Sequence, residues 1–142
     1  MSKQQDIRDY IKATLDAANI AGIDAIYSNF HLPIQEEPQD LIVIRDDSEE
    51  ASEPVPGYQF SERTLQLVIE VLAETSNGNI DNVLDNYQNA IEQAIKMDFS
   101  SNQTKPFHSI FYKGRKKEVA SDGATYIGGL EMRYEVKYEL VF

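Results

Sequence analysis

The chain has 142 residues, 42% of them hydrophobic and 26% charged, which is the size and balance of one globular domain with a real core. Cysteine is absent, so disulfide frameworks, thiolate metal sites and cysteine nucleophiles are excluded together. The net charge of −11 repels phosphate backbones and argues against broad nucleic-acid binding.

The N-terminus, Met1-Ser-Lys-Gln-Gln-Asp, has no apolar signal core, and no apolar run approaches the length of a membrane span. The expectation is a soluble, intracellular domain without a membrane partner. Ser2 and Gln5 have capping-box spacing. Ile7, Tyr10, Ile11, Leu15 and Ala18 then recur at three- and four-residue steps, which predicts a helix that stops near Asn19 and Gly22.

Residues 23–32 read as extended, with Ile26, Ser28, Phe30 and Leu32 on one side. Pro33 and Pro38 punctuate the step to Leu41-Ile-Val-Ile44, a short strand expected to be covered on both faces. Residues 46–57 carry Asp46, Asp47, Glu49, Glu50 and Glu53 with Pro54, Pro56 and Gly57. Their mutual repulsion and low apolar content predict a mobile acidic loop. A long strand over 58–74 follows, its later half apolar on both faces.

Asn79 is expected to cap a second helix, with Asp81 at its positive end. Ile80, Val83, Leu84, Tyr87, Ile91, Ala94 and Ile95 form its apolar stripe. The last third reads as a hairpin, 107–118 and 126–141, turning at Ser121-Asp122-Gly123. In its return arm Leu130, Met132, Tyr134, Val136, Tyr138 and Leu140 alternate with Glu131, Arg133, Glu135, Lys137 and Glu139. The charged side is expected to be plainly solvent-exposed, with pairing to a complementary charged sheet or cross-strand ion pairs as the alternative. Gly128-Gly129 is expected to mark a bulge or bend. The sum is one α+β domain spanning 1–142: a mainly antiparallel sheet of about five strands with two helices packed on one face.

No chemistry-bearing pattern stands out. His31 and His108 lie on unrelated segments, and the acidic loop lacks the ligand spacing of a calcium loop. There is no phosphate loop, dinucleotide fingerprint or nucleophile elbow. No catalytic residue, metal ligand or cofactor is therefore assigned. Lys113, Arg115, Lys116 and Lys117 make the one basic cluster. It reads either as a solvated arm or as a contact for an acidic surface, such as the acidic loop of a neighbouring copy.

The layout as a whole resembles a known family. The features are the N-terminal helix, the Ile26–Leu32 segment, the strand Asp40-Leu-Ile-Val-Ile44, the strand Leu65-Gln-Leu-Val-Ile-Glu-Val71 and the helix Ile80–Met97. The closing Tyr134-x-x-x-Tyr138-Glu139-Leu140 is the most suggestive piece. Together they are similar to the tail terminator proteins of long-tailed phages, the lambda-type minor tail protein U group. That resemblance implies a ring, typically of six subunits, on the end of the tail tube. The ring stops tube polymerisation and meets the head connector. It implies a virion tail protein assembled in the host cytoplasm, with itself, the tube protein and the connector as partners and no catalysis. Asp46, Asp47, Glu49, Glu50 and Glu53 on one side, and Arg115, Lys116 and Lys117 on the other, are the candidate contacts. A head–tail connector or tail completion protein, and a cytoplasmic adaptor or regulatory domain, are the alternatives.

Overall fold

The structure, a computed structural model, describes residues 2–28, 40–51, 60–76, 78–121 and 123–141. Helix α1 spans Lys3–Ala18. It starts where the Ser2 Oγ accepts a hydrogen bond from the Gln5 N–H at 3.1 Å, and it ends at Asn19 in the left-handed conformation (φ 52°). Its Ile7, Ile11 and Leu15 are buried.

Strand β1 is Ala25–Ser28, and residues 29–32 of the expected extended segment lie outside the described residues. Strand β2 is Leu41–Ala51 and β3 is Phe60–Thr75. Helix α2 spans Ile80–Phe99, and β4 (Ser109–Ser121) and β5 (Tyr126–Val141) close the chain. The sheet order is β1-β2-β3-β5-β4. Strands β1 and β2 are parallel, and every other pairing is antiparallel.

Alternation in the central strands builds the core. Ile42 and Ile44, then Leu65, Leu67, Ile69 and Val71, then Leu130, Met132, Val136 and Tyr138, all point to one face. The apolar stripes of α1 and α2 cover that face as one continuous cluster. Each fully buried Leu or Ile there contributes on the order of 1.5–3 kcal/mol. Leu41, Val43 and Val68 are also buried although they lie on the opposite face, which neither α1 nor α2 covers.

Three local expectations change. Part of the expected acidic loop is strand: residues 46–51 continue β2, and 52–57 lie outside the described residues. Asn79 holds the N-cap position of α2, but its side chain makes no cap bond. Its backbone (φ −95°, ψ 24°) is not the extended shape that aims a cap at the first turn. Gly128-Gly129 is not a bulge, since β5 keeps register with β3 through both. Gly128 is instead where α2 comes down on the sheet. A Cβ there would lie 2.8 Å from both Ile80 Cγ1 and Leu84 Cδ1.

Gly128→Ala is therefore expected to lose about 1–3 kcal/mol through overpacking. Urea denaturation reads this as a lower midpoint at unchanged slope, and an unchanged midpoint would mean that the helix can back away at no cost.

Candidate functional site

Charge, rather than a cleft, dominates the described surface, and two β-bulges decide where it goes. In β2, Asp46 pairs across from Leu67 while Ser48 pairs from Gln66, leaving Asp47 as an extra residue. Uninterrupted alternation would put Asp46 and Glu49 on opposite faces. The extra residue puts both on the helix-covered face and turns Asp47 to the open one.

Asp46 there forms an ion pair with Arg8 of α1. The arginine side chain is 9% exposed and the aspartate 29%. Burial pushes the Asp46 carboxyl above its usual range, and Arg8 pulls it back down. The Arg8 Nε and Asp46 Oδ1 atoms are buried with no hydrogen-bond partner. Glu49 accepts from Gln4 Nε2 at 3.2 Å, from Arg63 Nη1 at 3.2 Å and from the Tyr138 hydroxyl. Burial, reinforced by Glu49, raises the Tyr138 pKa. The acids of β2 thus fasten α1 and β5 to the sheet. Glu50 is exposed opposite Thr64, and Glu53 lies outside the described residues.

The open face carries a ladder of ion pairs. Arg45 reaches Glu131 at 2.6 Å and Glu70 at 3.5 Å. Arg133 reaches Asp47 at 2.7 Å and Glu131 at 3.6 Å. Lys113 lies 3.5 Å from Glu135. Glu131, Arg133 and Glu135 of β5 are therefore cross-strand partners rather than plainly exposed side chains, while Glu139 is exposed. Each such half-exposed pair contributes only about 0–1 kcal/mol. Arg133 holds the Asp47 carboxyl below its usual range.

The second bulge lies in β4 between Tyr112 and Gly114, with Lys113 as the extra residue and Gly114 at φ 150°. It splits the basic cluster. Tyr112 stacks edge-on against Tyr134 at 5.5 Å on the helix face. Arg115 on that face reaches Asp85 at 2.7 Å and donates to Gln88 Oε1 at 2.6 Å. Lys117 reaches Asp85 at 2.9 Å and Asp81 at 3.3 Å. Hydrogen bonds from Lys117 and Arg115 hold Asp85 low. Lys116 faces the other way, 69% exposed and 3.3 Å from Glu118.

The candidate acidic and basic sets are thus not brought together within one copy. Asp46 and Glu49 are held by α1 and β5, and Arg115 and Lys117 by α2. Sequence reasoning missed Arg8, Gln4, Arg63, Asp81 and Asp85 as their partners. The one local signal was the i,i+4 spacing of Asp81 and Asp85, which puts two carboxylates on one helix face. His108 is an exposed side chain 3.6 Å from Glu139, and His31 lies outside the described residues. Among the described residues no group of three or more His, Cys, Asp or Glu side chains is arranged to hold a metal, and no helix is long and apolar enough to cross a membrane. A shallow groove of about 400 Å³ runs between the helices, lined by Tyr10, Ala13, Ala17, Ala94, Met97 and Asp98. Burial, with Asp98 nearby, pushes the Tyr10 hydroxyl up to about 12.

No family model matches the chain, and no curated protein does. Among solved structures it is similar to a chain of the "Virion of native gene transfer agent (GTA) particle". The TM-score is 0.37 at 10% identity, over 88% of this chain and 85% of that one.

Arg8→Ala leaves Asp46 partly buried and unpaired. The expected loss is about 1–3 kcal/mol, less than for a fully buried pair because Asp46 keeps some water. Its folded pKa, already raised, rises further. The folded state then takes up a proton before the unfolded state does, so the penalty shrinks as pH falls through that pKa. Urea titrations of both proteins from pH 7 downward check this: a gap that stays constant or widens would contradict it. Asp47 and Asp85 act in the opposite sense, since their lowered pKa values stabilise the fold above the ordinary carboxylate range and that support is lost in acid.

Proposed function

We propose that this chain is a non-enzymatic virion-assembly protein that caps the phage tail tube, ends its polymerisation and joins it to the head connector, as a closed ring. The observation that carries this reading is the element order. The α-β-β-β-α-β-β layout on which the tail-terminator resemblance rests is the layout of the folded chain, with the alternating 130–140 segment as an inner strand of its sheet. The surface chemistry supports it. The clustered titratable side chains are paired with one another on the sheet and helices rather than converging on an enclosed cavity. That arrangement suits a body that presents shape and charge to other proteins. The acidic excess also suits a channel through which DNA passes without sticking. Rings close when copies meet head to tail and the rotation between them is commensurate.

The test is negative-stain electron microscopy of purified tail tubes mixed with the protein, and of tube protein polymerised in its presence. Rings on one end of the tubes, and shorter tubes at higher protein concentration, are the expected results. Bare tube ends and unchanged lengths, with circular dichroism showing the protein folded, would overturn the proposal. Binding to connector particles but not to tubes would favour a head–tail connector role instead.

A further inference from the structure

Strand β4 ends the sheet on one side among the described residues, and its own side chains are open to solvent on both faces. Glu118, Val119, Ala120 and Ser121 point alternately to the two faces, and all four are exposed. A long strand of this kind is a template for another strand. We infer that its partner is β4 of a second copy, the two strands pairing antiparallel about a two-fold axis at Lys117. The inference goes beyond the ring reading and does not depend on it, because a two-fold contact engages β4 once in each copy and closes on itself.

Symmetry limits the choices first. Two identical edges meet antiparallel when the axis stands perpendicular to the sheet, and the helices of both copies then cover the same side. Side chains keep their faces only if one residue lies on the axis opposite itself. The bulge at Lys113 ends the regular part of β4, whereas Gly114 to Ser121 pair with β5 without interruption. That uninterrupted run is the part offered to the second copy.

Charge then selects the residue on the axis. Lys116 and Glu118 share the open face, and their side chains are 69% and 77% exposed. With Lys117 on the axis, each Lys116 stands across from Glu118 of the other copy, so the pair is made twice. Glu118 has room for this contact, since its neighbour on β5 is Gly129. On the helix face the same register sets Val119, 46% exposed, against the aliphatic stem of Arg115 from the other copy. Lys117 does meet its own copy. Its side chain is only 19% exposed, however, and it is held by Asp85 at 2.9 Å and Asp81 at 3.3 Å. Arg115 shares Asp85, so the two cations near the axis are matched by two carboxylates within each copy.

The neighbouring registers lack this match. Lys116 on the axis sets lysine against lysine and Arg115 against Lys117. Glu118 on the axis sets glutamate against glutamate and leaves Lys116 across from Ala120. Val119 on the axis puts Glu118 across from Ala120 and carries Lys116 past the end of the partner strand at Ser121. A lysine on an edge strand discourages pairing, and the Lys117 register answers it with a carboxylate in both copies.

Charge reversal tests the register, since both side chains are exposed and lie outside the core. Lys116→Glu and Glu118→Lys are made singly and together. Sedimentation velocity and native mass spectrometry read the species, and thermal melts check the fold. The wild-type chain is expected to form a dimer. Each single variant sets like charges across the axis twice, and its dimer is expected to be about tenfold weaker or more. An equimolar mixture of the two single variants restores a heterodimer, and the double variant, which only exchanges the signs, restores the homodimer. A wild-type chain that stays monomeric at its highest soluble concentration overturns the pairing. So do single variants that self-associate as well as the wild type, or a mixture that recovers no heterodimer. Tube capping by the wild-type chain is scored separately: bare tube ends overturn the ring reading, while recovery of the heterodimer still decides this one.

Discussion

Alternation along the three inner strands governs most of what this molecule is. Strands β2, β3 and β5 each send every second side chain towards the two helices, and those side chains make the core. The intervening side chains form the opposite surface. A slip of one residue in any of these strands would exchange core for surface, so the register is fixed by burial itself. The chain then departs from the rule twice, at Asp47 and at Lys113. Each departure moves one charged stretch by half a repeat. The first brings Asp46 and Glu49 beneath α1. The second lets Arg115 and Lys117 meet α2 while Lys116 faces the other way. Two extra residues thus convert what reads as an acidic block and a basic block into four separate sets of contacts.

A chain this acidic still pairs most of its described cations. Arg8, Arg45, Arg63, Arg115, Lys117 and Arg133 each meet at least one carboxylate. Among the described residues, exposed acids include Asp9 and Asp24 close to β1 and Glu50 near the end of β2. Any arrangement of several copies has to keep those regions apart or screen them.

The strongly periodic parts of the fold were legible in the sequence. Helices α1 and α2 and strand β5 announce themselves because their burial repeats at a fixed interval, and the hairpin closes where serine and glycine allow it. The end of β2 was not legible. Asp46-Asp-Ser-Glu-Glu50 has the composition of a loop, and it is a strand because its acids are met by Arg8, 38 residues away, and Arg133, 86 residues away. No local window contains those partners. The same holds for the basic cluster: alternation divides it between two faces, but a bulge that composition does not mark decides that Arg115 and Lys117 are the ones to meet α2. Gly128 was noticed, but as a backbone feature. Its reason lies in the side chains of Ile80 and Leu84, which only the packed structure places above it.

The position of β3 has a consequence for how the chain comes into being. It lies between β2, which precedes it closely, and β5, which follows it in the chain only after α2 and β4. Strands β2 and β3 are close in sequence, whereas the other edge of β3 is met only by β5, whose Val136, Tyr134 and Met132 stand opposite Leu65, Leu67 and Ile69. Helix α2 emerges in the interval and has part of its floor missing until residues 126–141 arrive. Long-range closure of this kind is slow compared with local pairing, and an open apolar edge is the state in which nascent chains associate wrongly. A net charge of −11 opposes such association, because like-charged chains repel one another before β5 has covered the edge of β3 as well as after.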